Sequence, residues 1–323
     1  FAVEIFFKVF GNNDWAYYLL SQIFVLISFF IVWKFSNEVL GDKTHALLSV
    51  LLLAGIYFYN FTTPEFNVNV SQLPFWALSV YFFWKGINLN KFIDWTLFGI
   101  FSALGFLSKY LFIYILIALL IFFIFNFKKY KKSLKGYFLS IVISLIFIIP
   151  HLIWLIENNF VTIFYGLNRT GISEFSIFNH LKYPLELLLK QIVILIPFFF
   201  MILTILKKLK LKVNTQNKEI RFLLFINLIP ILLMLTTSFL LGAKIRTMWM
   251  TPFYLFFGTL FLFIFKNSID TKRLKRFYYT FLFFFILSPF VYLAISLIDN
   301  TKRTDFPGKE ISRLVQINGM IFY

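Results

Sequence analysis

The chain has 323 residues, of which 60% are hydrophobic, 22% are aromatic and only 14% are charged. Soluble domains average about 45–50% apolar and about 25% charged residues, so this composition excludes an ordinary soluble enzyme, a disordered chain and a secreted disulfide scaffold. The absence of cysteine excludes disulfides, thiolate nucleophiles and cysteine-based metal sites. In so apolar a chain, a net charge of +17 indicates membrane orientation rather than nucleic-acid binding.

Ten apolar segments follow one another along the chain, and a membrane-spanning helix needs about 20 apolar residues. The predicted spans are roughly 15–33, 45–60, 70–85, 92–108, 110–127, 136–156, 187–206, 220–240, 248–265 and 277–298. The fourth and fifth are broken only at 108–110, which predicts a hairpin whose arms approach closely at Gly99 and Gly105. We therefore predict an all-α, polytopic transmembrane bundle over residues 1–298 and an extracytoplasmic tail at 299–323.

The charges of the loops alternate in the way that the positive-inside rule requires. Every second loop is rich in Lys and Arg, and together these loops hold 20 of the 31 basic residues. The other loops hold nine of the 14 acidic residues, so we predict that they face outward. We interpret the basic runs as topology determinants that touch anionic membrane lipids, each worth about 1 kcal/mol. They lack the folded soluble surface that a nucleic-acid partner would need.

Polar side chains with varied chemistry collect in the predicted outward loops. Lys109, Lys244 and Arg246 are basic, and Arg and Lys together suit a phosphate group. A phosphate held at the membrane surface beside an apolar groove describes a polyprenyl-phosphate lipid. Glu65 offers a carboxylate on the same side, which can act as general base for an attacking hydroxyl. Tyr110 and His151 are further candidates for binding the substrate.

Each candidate has a structural alternative. Lys244 and Arg246 can extend from a helix end toward the membrane surface, and Glu65 can be a solvated loop acid. Lys109 can bond to the carbonyl groups of its own hairpin, and His151 can be a packed interfacial residue. Three histidines without cysteine do not indicate a zinc site, so we expect no metal and no other cofactor, although a divalent metal is possible.

Five motifs in a fixed order resemble those of the GT-C membrane glycosyltransferases. The similar branch contains the protein O-mannosyltransferases and the lipid A aminoarabinose transferase and is glycosyltransferase family 39-like. The matching segments are Phe1–Leu20, Thr63-Pro64-Glu65, Gly99 to Tyr110 with its Leu-Ser-Lys-Tyr end, Pro150 to Trp154 with Glu157-Asn158, and Lys244-Ile-Arg246 with Trp249 and Pro252. Their order and common side make the resemblance specific, although each motif alone is weak.

The resemblance implies an outward active site at the lipid interface, where a sugar passes from a polyprenyl-phosphate donor to an acceptor hydroxyl. It implies that Lys244 and Arg246 bind the lipid phosphate and that Lys109 and Tyr110 line the site. Glu65 stands where the family has a second acidic residue, an aspartate. The principal acid of the family follows its first transmembrane helix, and neither Glu4 nor Asp14 occupies that position. We therefore expect the chain to be N-terminally incomplete.

Two functions from different classes are compatible with these features. The first is an inverting glycosyltransferase of the bacterial inner membrane, active on the periplasmic side, with a polyprenyl-phosphate-sugar donor and a protein, lipid or glycan acceptor. The second is a transporter or flippase for a lipid-linked saccharide, or a non-catalytic relative. A transporter predicts repeats and polar groups at the bilayer midplane. The polar groups instead lie at outer helix ends, which favours the enzyme.

Overall fold

A computed structural model describes residues 2–170, 176–209, 213–298, 311 and 313–314. Within these residues the chain is all-α, with one isolated antiparallel bridge between Leu206 and Ile269. This confirms the predicted fold class. The tail predicted at 299–323 lies outside the described residues except for 311, 313 and 314.

The helices follow one another with short connections. They are α1 (Ala2–Phe10), α2 (Asp14–Leu40), α3 (Lys43–Leu51), α4 (Tyr57–Asn60), α5 (Val68–Ser71), α6 (Leu73–Leu89), α7 (Phe92–Ser108), α8 (Ile113–Phe125), α9 (Phe127–Tyr130), α10 (Leu134–Glu157), α11 (Val161–Asn168), α12 (Asn179–Ile205), α13 (Lys218–Leu241), α14 (Phe257–Phe265) and α15 (Leu274–Ile298). Single 3-10 turns link several of them, and a longer 3-10 segment, Thr247–Tyr254, precedes α14.

Five helical segments are long and apolar enough to cross a membrane: Asp14–Leu40, Phe127–Glu157, Asn179–Ile205, Lys218–Leu241 and Thr271–Ile298. The pair Thr247–Tyr254 and Phe257–Ser268, bent by 50°, adds a sixth if it forms one span. All ten predicted spans coincide with helical segments. Because the remaining four are shorter, the count of ten spans stays a prediction.

An aromatic cluster joins four of the helices. The ring of Phe222 on α13 lies 6.0 Å from the rings of Phe35 on α2 and Phe83 on α6, and 5.1 Å from that of Phe122 on α8. All four side chains are fully buried. Such ring pairs add about 0.5–1.5 kcal/mol each beyond their burial. The cluster therefore holds helices that are far apart in sequence in one arrangement.

Glycines allow the closest helix contacts. Gly105 packs within the predicted hairpin, whereas Gly99 packs against α10, a contact that was not predicted. A Cβ on Gly105 would come within 2.2 Å of Phe112, so this glycine does permit the tight hairpin between α7 and α8. Gly99 instead packs against α10, where a Cβ would lie 2.6 Å from the carbonyl oxygen of Ser140. Ser144 donates to the carbonyl of Gly99 across the same contact, at 2.8 Å. The predicted partner of Gly99 was therefore wrong.

Contacts between distant loops sort them into two ends of the bundle. At one end, Lys218 donates to Asn88 at 2.8 Å, and Lys266 donates to the carbonyl of Leu40 at 2.6 Å. These residues belong to the basic loops that were predicted to share one side. At the other end the loops of 61–70, 108–112, 151–170 and 237–251 contact one another, and this end carries the candidate site.

Candidate active site

Lys109 and Tyr110 lie at the break between α7 and α8, and both side chains are partly buried. The Ser108 hydroxyl donates to the carbonyl of Leu104 at 2.8 Å, which ends α7 by competing for its backbone acceptors. Lys109 is extended, with φ −166° and ψ 129°, and a single 3-10 turn from Tyr110 begins the next helix. The chain therefore turns sharply, and the two side chains enter the space between the loops.

Lys109 is held by groups from two other loops. Its ammonium donates to the side-chain carbonyl of Asn69 at 2.5 Å and lies 5.2 Å from the ring centre of Trp249. Asn67 positions Asn69 by capping α5, since its side chain accepts from the backbone N–H groups of Asn69 and Val70. Burial, and secondly the charge of Arg169, lower the pKa of Lys109 from 10.5 to about 7.

Tyr110 and His151 are hydrogen-bonded to each other. The Tyr110 hydroxyl lies 2.8 Å from Nε2 of His151 on α10 and 2.7 Å from the hydroxyl of Thr162 on α11. The His151 ring stacks on Trp154 with 5.6 Å between ring centres. The structure thus brings the two predicted residues together and adds Thr162 to them.

Lys244 and Arg246 follow the end of α13. Gly242 ends this helix in the left-handed conformation, at φ 57°, and Ser238 donates to the carbonyl of Ala243 at 2.8 Å. The backbone N–H of Lys244 then donates to the carbonyl of Thr170 at 2.9 Å. Both predicted phosphate-binding side chains are exposed, and among the described residues neither has a hydrogen bond or ion pair through its cationic group.

Two neighbouring cavities hold most of the predicted site. The larger, of about 860 Å³, is lined by Lys244 and Arg246 and also by Arg169 and Lys190. The smaller, of about 560 Å³, is lined by Lys109, Tyr110 and His151 together with several apolar groups. Arg169 and Ile245 line both cavities and form their common wall. No acidic side chain lines either cavity in the part of the chain that the structure describes, so the combined site favours an anion.

The loop of Glu65 reaches both cavities, although Glu65 itself lines neither. This loop begins at Thr62, which lines the larger cavity, and ends at Val68, which lines the smaller one. The Glu65 carboxylate accepts from the hydroxyl of Tyr292 at 3.3 Å, and the side-chain amide of Asn67 donates to the Glu65 carbonyl at 3.0 Å. The structure therefore brings Glu65 near the site by its loop, with its carboxylate facing α15.

Two charged cavity residues, Arg169 and Lys190, were not among the candidates from the sequence. Arg169 donates to the Tyr165 hydroxyl at 2.8 Å, and its guanidinium lies 5.4 Å from the ring centre of Tyr165. Lys190 pairs with Glu186, one turn earlier on α12. The same half of α12 also carries Lys182 and Glu186, so the sequence gives no separate signal for Lys190. Among the described residues, no three His, Asp or Glu side chains lie close enough together to hold a metal ion.

Comparison with known proteins agrees with the predicted resemblance. Residues 1–154 match the family model of dolichyl-phosphate-mannose-protein mannosyltransferase. Neither a curated protein nor a solved structure matches the chain. The matched segment includes the Lys109 turn, Tyr110 and His151, and the apolar helices are those of an integral membrane protein. Over its first 154 residues the chain is therefore similar to the GT-C, mannosyltransferase-like membrane glycosyltransferases, a class that uses lipid-linked sugar donors.

Proposed function

We propose that the protein transfers a sugar from a polyprenyl-phosphate donor to an acceptor hydroxyl on a protein, lipid or glycan. The proposal includes a location in the bacterial inner membrane, with the site on the periplasmic side. The observation that carries it is the pair of adjoining cavities, lined by five cations and, among the described residues, by no acid. A lipid phosphate is an anion that reaches such a site from the membrane.

The larger cavity suits the donor phosphate. Arg246 offers a planar pair of donors, and Lys244 and Lys190 add point charges around the same space. As the bond from the sugar to the phosphate oxygen breaks, negative charge grows on the phosphate, and fixed cations stabilise that charge. Cations in the site also meet the electrostatic demand for which other enzymes use a metal, so we expect no cofactor.

The smaller cavity suits the sugar. It combines the hydroxyls of Tyr110, Thr162 and Tyr165 with the Trp249 ring, and it adjoins the phosphate across Arg169. In this arrangement the acceptor hydroxyl attacks from the face opposite the phosphate, which inverts the anomeric carbon. Glu65 is the candidate carboxylate for taking the acceptor's proton, and its loop would have to turn the side chain away from Tyr292.

Substitution of the unpaired cations tests the proposal. We expect Arg246→Ala and Lys244→Ala each to lower sugar transfer by about 10- to 100-fold, because a hydrogen bond to a charged group contributes roughly 1.5–3 kcal/mol. The measurement is transfer from a polyprenyl-phosphate sugar in proteoliposomes. Lys182→Ala is the matched control, since Lys182 is exposed at the same end and lines neither cavity. Full transfer by both cavity variants would refute the assignment.

The same proteoliposomes distinguish transfer from transport. The enzyme releases the sugar from its lipid and leaves the free polyprenyl phosphate behind. A flippase moves the intact lipid-linked saccharide between leaflets without that cleavage. Translocation without sugar release would therefore replace the proposed reaction with the transport alternative.

A further inference from the structure

A second basic groove lies at the end of the bundle opposite to the candidate active site. It has a volume of about 610 Å³ and lies between α12 and the first turns of α15. Its cations are Lys272, Arg273, Lys275 and Arg276, and no acidic residue among those described lines it. The proposed transfer reaction uses none of these residues.

Three of the four cations are available for a ligand. Arg273 is committed to the protein, because it donates to the carbonyl of Leu206 and its Nε lies 3.5 Å from Asp270. Lys272, Lys275 and Arg276 are exposed, and within the described residues none of their cationic groups has an ion pair. Lys272 lies just before α15, and Lys275 and Arg276 lie in its first turn, so the three cations are close together.

The wall of the groove is apolar and continues onto the lipid-facing surface. Phe200 and Phe283 line it and are 53% and 59% exposed. None of the apolar window within Thr271–Ile298 is buried, so this helix presents its surface to the bilayer. A ligand that fills the groove therefore needs an anionic group beside the cations and an apolar part along the two phenylalanines.

We propose that this groove binds the headgroup of an anionic phospholipid. Its phosphate contacts Lys272, Lys275 and Arg276, and its acyl chains lie along Phe200 and Phe283. Basic pockets between transmembrane helices bind such headgroups because the negative charge is held next to the membrane surface. A free phosphate ion uses only the cations and leaves the apolar wall without a partner.

Lipid binding by the full chain in a neutral detergent tests this proposal. Native mass spectrometry with phosphatidylglycerol, phosphatidylcholine or inorganic phosphate gives the affinity for each. We expect preferential binding of phosphatidylglycerol, weakened at least about tenfold by the triple variant K272Q/K275Q/R276Q, since each cation near an anionic headgroup contributes roughly fivefold. The matched control K128Q/K131Q/K135Q removes three exposed lysines at the same end and should change binding less than about twofold.

Equal weakening in both triple variants would overturn the proposal, because it would mean general charge attraction without a site. Equal affinity for phosphatidylcholine would also overturn it, as would displacement of the lipid by inorganic phosphate at matching concentrations. If the triple variant does not fold, the exposed single variants K275Q and R276Q take its place, with an expected weakening of about two- to fivefold each.

Discussion

Lys109 shows how a single residue acquires its properties from three loops. Its ammonium is fixed by Asn69 and by the ring of Trp249, while the charge of Arg169 opposes its own. Burial and this opposing charge bring its pKa to about 7, so the side chain changes charge near neutral pH. A nearby phosphate would restore the protonated form, since an opposite charge favours it.

We predict that binding of polyprenyl phosphate weakens as pH rises from about 6 to about 8.5, because Lys109 loses its charge in this range. The expected loss is about two- to fivefold, because Lys109 lines the neighbouring cavity and acts on the phosphate through space rather than by direct contact. Titration of the ligand at several pH values measures it. Lys109→Gln should bind at pH 6 as weakly as the unaltered protein binds at pH 8.5. An unchanged pH dependence in Lys109→Gln would contradict the role of Lys109.

The lowered pKa of Lys109 also affects how the free energy of unfolding changes with pH. In the unfolded chain Lys109 keeps its ordinary pKa of 10.5, so the unfolded state binds more protons than the folded state between pH 7 and 10.5. The contribution of Lys109 therefore makes the folded state more stable as pH rises through this window. We expect Lys109→Gln to reduce this increase, which thermal unfolding at pH 7 and pH 9 would measure.

At the scale of single residues, the sequence identifies charged groups better than their partners. Lys109, Lys244 and Arg246 could be named as candidates because they lie in motifs of the outward loops, and their roles stay a prediction. Arg169 could not be assigned, because its place between the two cavities depends on how the end of α11 lies against the residues after α13, where the Thr170 carbonyl accepts from the backbone N–H of Lys244. In the sequence, Lys190 looks like a lysine that only pairs with Glu186 one turn earlier on its helix. It could not be assigned to the site because the cavity that it lines is formed with the distant residues 244–248.

At the scale of an element, the backbone geometry at the end of α13 positions the side chains of Lys244 and Arg246. Gly242 has a left-handed conformation, and a Cβ there would lie 3.1 Å from Nε2 of His180. The chain then leaves the helix toward Thr170, so Lys244 and Arg246 enter the larger cavity. An L-residue in this conformation costs about 1–2 kcal/mol, and at Gly242 it also displaces His180.

We predict that Gly242→Ala weakens both folding and donor binding. Gly41→Ala is the matched control, because Gly41 ends α2 with φ 68° and a Cβ added there would have no other atom within 4 Å. Both variants should lower the free energy of unfolding by about 1–2 kcal/mol. Only Gly242→Ala should also weaken polyprenyl-phosphate binding, measured by titration. If both variants bind polyprenyl phosphate equally well, the end of α13 does not position the binding site.

Helix existence could be predicted at this scale, whereas helix partners could not. Apolar length predicts a helix for each of the ten segments, because an isolated span must satisfy its own backbone hydrogen bonds. A glycine in a helix indicates only that another part of the chain packs closely against it, without indicating which part. At Gly105 the partner is the next turn of the chain, which the sequence anticipates, but at Gly99 it is α10, some 40 residues later. That contact depends on tertiary packing.

At the scale of the whole molecule, the contacts divide the charges between two ends. The basic loops contact one another at one end, as at Lys218 and Asn88, and the proposed phosphate cavities lie at the other. The arrangement explains how a chain of net charge +17 can keep most of its cations away from its site. Which end faces outward follows from the positive-inside rule as a prediction.

Cysteine labelling tests this orientation directly, because the chain has no cysteine of its own. Lys131→Cys introduces a thiol in the basic end and Ser176→Cys one at the site end, and both positions are exposed. A membrane-impermeant maleimide added to intact cells should label only Ser176→Cys, and permeabilised cells should label both. Labelling of Lys131→Cys in intact cells would reverse the orientation, because a polar reagent cannot reach a thiol behind the apolar bilayer. The lipid-linked sugar would then have to be used on the cytoplasmic side, with the second basic groove facing outward.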